Sequence, residues 1–532
     1  MNKVFHGRKP YMTETSGSML KNEIYSFQIV VEGGERGVSS AMLRFGGDLA
    51  ERIAYYPVRE LKANHDLSIC PDHDDYLDMS PDAMYPELCE ETICFDVAPG
   101  EYKGIWVNVN GAPAAGKYDI PVVLTVDDET LGATTYVLQV VDADLPETDL
   151  IITHWMHCDC ICELHGVEMF SDAFYRVFDH YLTAYVDLGN TMLLVPTITP
   201  ALDTEVGSER MTAQLVDVAY DGKSYTFGFD KLDRYIAFAQ AHGIRYFEIA
   251  HLFTQWGAEF CPKVMATVNG EYKRIFGWDV ASDSEEYKAF LTAYLPALTA
   301  HLESLGIADR SFYHLSDEPQ EAHLEKYMSL YAFVKPLMGR VQTIDALSHY
   351  DFYEKGVVDL PVCVTSTADV FRDHGTRHLS YYCCGPRDRH ESNRFFIMPG
   401  ERIRPMGMQL YLNHSSGFLH WGYNFYHTVL SRGVVDPYTD TAAGGQLPSG
   451  DSFIVYPDVK RGGVQKSIRY HIMRNSLQDY RALMLLDRLV GREEIEQLLH
   501  AYGVYGYRVY PHAAYPMHEV REAINRKIAE HL

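Results

Sequence analysis

The 532-residue sequence has no long apolar segment and far fewer basic than acidic residues. No run is long enough to span a bilayer, and residues 1–17 contain no apolar stretch like that of a signal peptide. Lysine and arginine number 46 against 73 aspartates and glutamates, which gives a formal net charge of -27. The negative electrostatic field of such a chain repels nucleic acid and anionic membranes. We therefore expect a cytoplasmic protein that binds neither nucleic acid nor a membrane.

The sequence also lacks the motifs of several common sites. Its ten cysteines show no disulfide-like spacing, so we expect reduced thiols. The segment 157–165 holds three cysteines and two histidines, but Cys-x-Cys-x-Cys matches no usual zinc ligand pair, and alternate residues of a strand would be small apolar fillers. No complete Gly-x-x-x-x-Gly-Lys-[Ser/Thr] phosphate loop and no Gly-x-Ser-x-Gly elbow occurs. We predict neither a metal nor a cofactor.

The order of strand-like and helix-like segments predicts a multidomain protein. Residues 1–147 contain short β-branched or aromatic runs between turn residues, which indicates a β-sandwich. In residues 148–490, strand-like runs alternate with amphipathic helices, as in a TIM-like (β/α)8 barrel. Residues 491–532 are predicted to form a helical C-terminal extension. The eight barrel strands are expected near 150–157, 192–199, 245–253, 311–316, 340–347, 362–367, 379–384 and 417–424, with brief or missing helices between 340 and 384.

The most informative feature is the adjacent acid pair Asp317 and Glu318. It follows the apolar strand 311–316 directly, and Pro319 ends that strand because proline has no N–H to donate. A helical pattern runs from 320 to about 337. The carboxyl ends of parallel strands form the catalytic face of such folds, so the pair indicates acid/base chemistry. The alternative, a helix N-cap, accounts for one acid but not for both.

Polar and aromatic residues also follow the other predicted barrel strands. Aromatic faces stack on sugar rings, while amide, imidazole and carboxyl groups bond hydroxyls, so the set predicts a carbohydrate-binding pocket. For any single aromatic residue, packing in the core is the alternative. The predicted substrate contacts are Trp155, His157, Asp203, His251, Gln255, Trp256, His314, Asp345, Tyr381, Tyr382, Trp421, Tyr423 and Asn424.

Several motifs resemble one known family. His-Leu-Ser-Asp-Glu-Pro at 314–319 resembles the Asp-Glu-Pro signature of glycoside hydrolase family 123 and of related uncharacterised domains. Segment 417–424 is similar to their last-strand motif, and segments 451–457, 467–469 and 478–480 are similar to their C-terminal region. Together with the β-rich N-terminal part, the resemblance covers nearly the whole chain.

The resemblance implies a retaining exo-glycosidase that removes β-linked N-acetylgalactosamine by a substrate-assisted mechanism. Glu318 would then be the general acid and base, and Asp317 would orient and polarise the 2-acetamido group, whose oxygen is the nucleophile. Three alternatives remain. The first is another sugar specificity with a two-carboxylate mechanism, in which Asp345 is a candidate nucleophile. The second is a non-catalytic carbohydrate-binding protein, and the third is an assembly protein whose sandwich mediates oligomers. The oligomeric state is left open.

Overall fold

The computed structural model describes residues 3–10, 14–64, 83–386 and 390–532, and its N-terminal part consists of two facing β-sheets. One sheet has the order β1-β9-β8-β3-β6 and the other β2-β7-β4-β5. Within each sheet the strand pairs are antiparallel, apart from the parallel pair β1–β9. The strands are β1 Ser16–Leu20, β2 Ile24–Glu32, β3 Val38–Phe45, β4 Ile53–Lys62, β5 Met84–Cys89, β6 Phe95–Val97, β7 Tyr102–Asn110, β8 Gly116–Val126 and β9 Glu129–Val141.

Apolar side chains from both sheets meet between them, which confirms the predicted sandwich. Ile105 and Val107 of β7 pack into the same cluster as Ile120 and Val122 of β8. Because side chains alternate across a strand, every second residue reaches this core. The tight β8–β9 hairpin has two loop residues, both at positive φ, which matches the right-handed twist of the strands.

Eight of the following strands form one parallel sheet in the order β10-β21-β20-β19-β18-β17-β14-β11. All eight lie where the sequence predicts a barrel strand. Thr191 nearly closes the sheet: its N–H donates to the carbonyl of Ile152 and its Oγ1 accepts the Ile152 N–H, each at 2.9 Å. The strands from 151 onward are β10 Ile151–His154, β11 Met192–Val195, β12 Asp217–Tyr220, β13 Tyr225–Gly228, β14 Tyr246–Ile249, β15 Val264–Val268, β16 Glu271–Phe276, β17 Ser311–His314, β18 Gln342–Ala346, β19 Leu360–Val364, β20 Leu379–Tyr381, β21 Gly417–His420, β22 Val455–Asp458 and β23 Gly463–Lys466.

Helices connect the barrel strands, and three of the long helices start at serine caps. Ser171, Ser284 and Ser467 accept a backbone N–H at the first turns of α2, α4 and α10, respectively. As expected from the short spacing, α6 and α7 have only five and six residues. The helices are α1 Cys158–His165, α2 Asp172–Leu188, α3 Asp230–Ala241, α4 Glu285–Ser304, α5 Leu324–Val334, α6 Tyr350–Glu354, α7 Ala368–Asp373, α8 Gly400–Ile403, α9 Met406–Leu412, α10 Ile468–Val490, α11 Arg492–Ala501 and α12 Ala514–Glu530.

Two local predictions were wrong. The cysteines of 158–162 lie on helix α1 rather than on a strand, although they are buried as expected. Gly166 ends this helix at φ 64°, a left-handed conformation that suits glycine. The second error is an omission, since β12, β13, β15 and β16 form a separate four-stranded sheet in the connections after β11 and β14.

The C-terminal helices confirm the predicted helical tail and pack back onto the N-terminal sandwich. Ser18 of β1 donates to the Glu522 carboxylate at 2.7 Å, and Glu23 pairs with Arg521 at 2.5 Å. The proposed division at residues 147/148 and 490/491 stays a prediction. Among the described residues, no helix combines the length and apolarity needed to cross a membrane.

Candidate active site

Asp317 and Glu318 lie half-buried just beyond the carboxyl end of β17. Neighbouring loops fix their backbone from two sides. The Trp256 N–H donates to the Asp317 carbonyl at 2.8 Å, and the Glu318 N–H donates to the Ala346 carbonyl at 3.1 Å. Glu318 has φ 46°, an uncommon conformation for a residue with a side chain. The surrounding loops therefore hold the acid pair in a defined position at the mouth of the barrel.

Neither acid caps the helix that follows. A 3-10 turn covers Glu321–His323, and α5 begins at Leu324, so the capping positions belong to Gln320 and His323. The N-cap alternative for the acid pair is therefore wrong, and the pair is free to face a ligand.

Glu318 is held as a weak acid by its surroundings. Burial, with a further contribution from the Asp345 carboxylate, raises its pKa above the ordinary glutamate value. The Tyr381 hydroxyl, on β20, donates to Glu318 Oε1 at 2.9 Å and partly opposes that rise. Burial and the adjacent Glu318 charge also raise the pKa of Asp317. Two neighbouring acids with raised pKa values retain a shared proton at higher pH than isolated carboxylic acids do.

A fully buried charged cluster lies beneath the pair. His314 Nδ1 is 2.7 Å from Glu248 Oε1, and His314 Nε2 is 3.4 Å from Asp345 Oδ1. The Trp155 indole N–H donates to the same Glu248 oxygen at 2.9 Å, while the Tyr327 hydroxyl donates to Asp345 at 2.6 Å. Burial alone would lower the pKa of His314, but hydrogen bonds and charge from Asp345 and Glu248 raise it to about 10. His314 is therefore an imidazolium at neutral pH.

His251 lies against this cluster. Its ring is tilted by 30° to that of His314 with centroids 3.9 Å apart, and neither ring nitrogen has a hydrogen-bond partner among the described residues. Burial and the His314 charge hold the pKa of His251 well below its usual value. Although His251, His314 and Asp317 bring ligand atoms within 4.8 Å of one another, both ring nitrogens of His314 already face carboxylates, which disfavours a metal there.

Two tryptophans and one aspartate lie at the rim. Trp256 is 42% exposed. Trp421 is half-buried and donates its indole N–H to Asp451 at 3.2 Å. Asp203 is also half-buried, and its carboxylate accepts the Leu430 N–H at 3.0 Å. These side chains have surface available to a ligand, and their contact with substrate stays a prediction.

Other predicted contacts are buried and already bonded within the protein. His157 bonds the Trp421 carbonyl at 2.9 Å, and Asn424 bonds the backbone of His157 through both amide atoms. The side-chain amide of Gln255 likewise bonds both the backbone N–H and the carbonyl of Thr204. Tyr423 and Tyr382 are packed in the main core. The structure gives these five residues packing or loop-holding contacts, and no observation tests a role toward substrate.

Glu248 is the site residue that sequence reasoning missed. It lies inside β14, whose other residues are apolar or aromatic, and it is fully buried. An acid in the middle of such a short strand was the available signal, because an unpaired charge is not tolerated in a core.

Comparison with known proteins places this site in context. The model of the catalytic domain of glycoside hydrolase 123 matches residues 155–486. A family 123 glycoside hydrolase from Clostridium perfringens, studied for glycolipid glycan hydrolysis, is similar in structure with a TM-score of 0.73 at 15% identity, over 97% of this chain and 92% of that one. A family 39 glycoside hydrolase from Bacteroides cellulosilyticus WH2 has a TM-score of 0.33 at 9% identity, over 83% and 80% of the two chains. None of the curated proteins matches the sequence.

Proposed function

Since the chain belongs to glycoside hydrolase family 123, and is therefore a glycosidase with a carbohydrate substrate, we propose that it is a retaining exo-glycosidase for a β-linked N-acetylhexosamine, N-acetylgalactosamine above all. The observation that carries the proposal is the pair Asp317–Glu318 at the mouth of the barrel, with both pKa values raised. A protonated carboxyl group beside a second carboxyl group is what substrate-assisted hydrolysis requires.

In the first step, Glu318 donates its proton to the glycosidic oxygen while the C1–O bond breaks. The carbonyl oxygen of the sugar's own 2-acetamido group attacks C1 and forms an oxazolinium ring. Asp317 accepts the acetamido N–H and stabilises the positive charge that develops there. The leaving group departs as a neutral alcohol, because it carries the proton from Glu318.

In the second step, the Glu318 carboxylate removes a proton from water as that water attacks C1. The bond between C1 and the acetamido oxygen breaks, which restores the 2-acetamido group and leaves Glu318 protonated. Two inversions at C1 give net retention. The two acids act on different atoms of one sugar, which explains how neighbours in sequence can both take part.

The rim residues support recognition of a sugar. Trp256, whose indole is exposed, neighbours the acid pair in the fold, since its backbone N–H donates to the Asp317 carbonyl. Aromatic faces bind the apolar faces of sugars, and the half-buried Trp421 offers a second such surface. The negative field of the chain is compatible with an uncharged ligand.

The two-carboxylate alternative requires a separate nucleophile. Asp345 is fully buried, and its Oδ2 accepts the Tyr327 hydroxyl at 2.6 Å and the Ser316 N–H at 3.1 Å. A carboxylate held in this way has no open approach to a sugar C1. The geometry therefore favours the substrate's acetamido oxygen as nucleophile.

The first test replaces Glu318 by glutamine and uses aryl 2-acetamido-β-glycosides with good and poor leaving groups. Loss of a general acid lowers kcat by about a hundredfold or more for a poor leaving group and by much less for a good one. The matched control is Glu321→Gln, three residues later and exposed. Parent-like turnover of the poor substrate by Glu318→Gln would exclude the assigned role.

The second test replaces Asp317 by asparagine. Hydrolysis of 2-acetamido substrates should fall by about a hundredfold, whereas any residual activity on the 2-hydroxy analogues should change little. Equal losses on both would support a two-carboxylate glycosidase. Binding of an N-acetylhexosamine without turnover by the parent protein would instead support the non-catalytic alternative.

A further inference from the structure

A cluster of metal-ligating side chains lies where α1 meets the loop that follows β21. Cys160, Glu163 and His427 place one sulfur, one carboxylate oxygen and one ring nitrogen within 4.8 Å of one another. None of them belongs to the machinery proposed above. We propose that these three side chains form a zinc-binding site.

The fold brings together ligands that are distant in sequence. Cys160 and Glu163 are three positions apart on α1 and therefore share one face of the helix. His427 is 267 positions after Cys160 and approaches because β10 and β21 are parallel neighbours. The segment 157–165 alone predicts no zinc site, since the spacing of its cysteines and histidines matches no usual zinc ligand pair. The histidine comes from the segment after β21, which is distant in sequence but adjacent in space.

The three side chains are close together but would have to rearrange around an ion. Cys160 Sγ is 4.0 Å from both ring nitrogens of His427, and the Glu163 carboxylate is in hydrogen-bond contact with Nε2. Ordinary Zn–S and Zn–N bonds place tetrahedral ligand atoms about 3.5 Å apart. Binding therefore requires the Glu163 carboxylate to separate from Nε2 and the imidazole to turn so that Nε2 and Cys160 Sγ face the same ion.

The sulfur is already an acceptor. The Tyr426 N–H donates to Cys160 Sγ at 3.3 Å, which orients the sulfur within the cluster. Cys160 and His427 are buried, whereas the Glu163 side chain is 22% exposed. Two ligands are thus enclosed by packing, and the third opens to solvent, which leaves room for water as a fourth ligand.

Charge and ligand type favour zinc. One thiolate and one carboxylate neutralise a divalent cation, so that a buried complex carries no net charge. Thiolate with imidazole is a donor set that zinc prefers over magnesium or calcium. Burial raises the pKa of the Cys160 thiol and by itself would lower that of His427, but Cys160 and Glu163 raise the pKa of His427 to about 10. Coordination therefore requires the ion to displace one proton from Cys160 and one from His427, and both protons pass to solvent.

A bound zinc ion would fasten α1 to the loop that carries Trp421, six residues before His427. The competing explanation is an ion pair between Glu163 and His427 with the Cys160 thiol packed beside it. The two differ in metal affinity and in the absorption of a cobalt complex, because only a coordinated thiolate gives a sulfur-to-cobalt charge-transfer band.

The test uses the full-length protein, stripped with a chelator and titrated with Co²⁺ and then with Zn²⁺. We expect one equivalent of Co²⁺ with a near-ultraviolet charge-transfer band, displaced by one equivalent of Zn²⁺. Cys160→Ser should abolish the band. Cys162→Ser should keep it, because Cys162 lies on the same helix but contacts Met169.

The proposal fails if the parent protein binds less than about a tenth of an equivalent of Co²⁺, or if the band survives in Cys160→Ser. Should Cys160→Ser fold poorly, Glu163→Gln replaces it, since a partly exposed glutamate is a milder site for substitution. That variant should weaken Zn²⁺ binding at least tenfold. Unchanged affinity in Glu163→Gln overturns the assignment.

Discussion

Replacement of His314 by glutamine is expected to destabilise the protein strongly at neutral pH. The imidazolium of His314 lies between the carboxylates of Glu248 and Asp345, and all three side chains are fully buried. Without the cation, two negative groups remain in the core with no opposite charge. Removal of one partner from a buried ion pair costs about 3–5 kcal/mol.

The raised pKa of His314 is consistent with that magnitude. It rises from an ordinary 6.5 to about 10, and at about 1.4 kcal/mol per pKa unit this corresponds to roughly 4–5 kcal/mol. Because the folded-state pKa lies above the unfolded-state value, the stabilisation is complete below about pH 6.5. It is lost as the pH rises through about 10.

The free energy of unfolding in urea, compared for the parent and His314→Gln at pH 7 and at about pH 10.5, tests this reasoning. The difference between the two proteins should be about 3–5 kcal/mol at pH 7 and should shrink markedly at the higher pH. His531→Gln, at an exposed terminal position, is the matched control and should unfold like the parent. A difference below about 1 kcal/mol at pH 7, or one that is unchanged at high pH, refutes the buried imidazolium.

Three other substitutions probe separate contacts. Tyr381→Phe removes the hydroxyl that stabilises the Glu318 carboxylate, so the pKa of Glu318 rises and the alkaline limb of the kcat/KM profile moves to higher pH. If that limb stays where it is in the parent, the hydroxyl does not act on Glu318. Trp256→Ala removes the exposed indole at the rim and should raise KM about fivefold, which corresponds to roughly 1 kcal/mol of stacking, with kcat nearly unchanged. A parent-like KM argues against contact between Trp256 and the substrate. Arg469→Met leaves the buried Glu87 carboxylate, 2.8 Å away, without its cation, so the free energy of unfolding in urea should fall by about 3–5 kcal/mol. The double variant with Glu87→Met should recover most of this loss, and parent-like stability of the single variant refutes the prediction.

The architecture follows from local signals in the sequence. Each barrel strand is a short apolar run with polar residues at its carboxyl end, and the run 311–316 before Asp317 is the strongest case. Parallel strands buried on both faces produce such runs, so their number and order predict the barrel. The spacing between 340 and 384 limits the connecting helices to about one turn, as α6 and α7 show.

Other features depend on distant contacts that local patterns do not encode. The side chain of a residue at a strand end can turn toward the cavity or into the core. Sequence spacing therefore does not distinguish Trp421, which lies at the rim, from Tyr423 and Asn424, which are buried. Glu248 is tolerated inside β14 only because His314 and Trp155 bond to it. The alternation of cysteines in 158–162 suggested a strand, but the buried face of α1 accepts the same residues.

The buried cluster shapes the electrostatic surroundings of the acid pair at the mouth of the barrel. Beneath the pair lie two carboxylates, Glu248 and Asp345, and one cation, His314. For Asp317, burial, the Glu318 charge and both carboxylates oppose ionisation, whereas the His314 charge favours it; for Glu318, burial and the Asp345 carboxylate oppose ionisation. Apolar residues in place of this cluster would also raise the pKa values of Asp317 and Glu318 by desolvation. They would not, however, hold the strand ends in register through the hydrogen bonds of Trp155 and Tyr327. Ion pairing below the pair thus fixes geometry, while the Asp345 carboxylate adds to burial in keeping a proton on Glu318, as the proposed role of that residue requires.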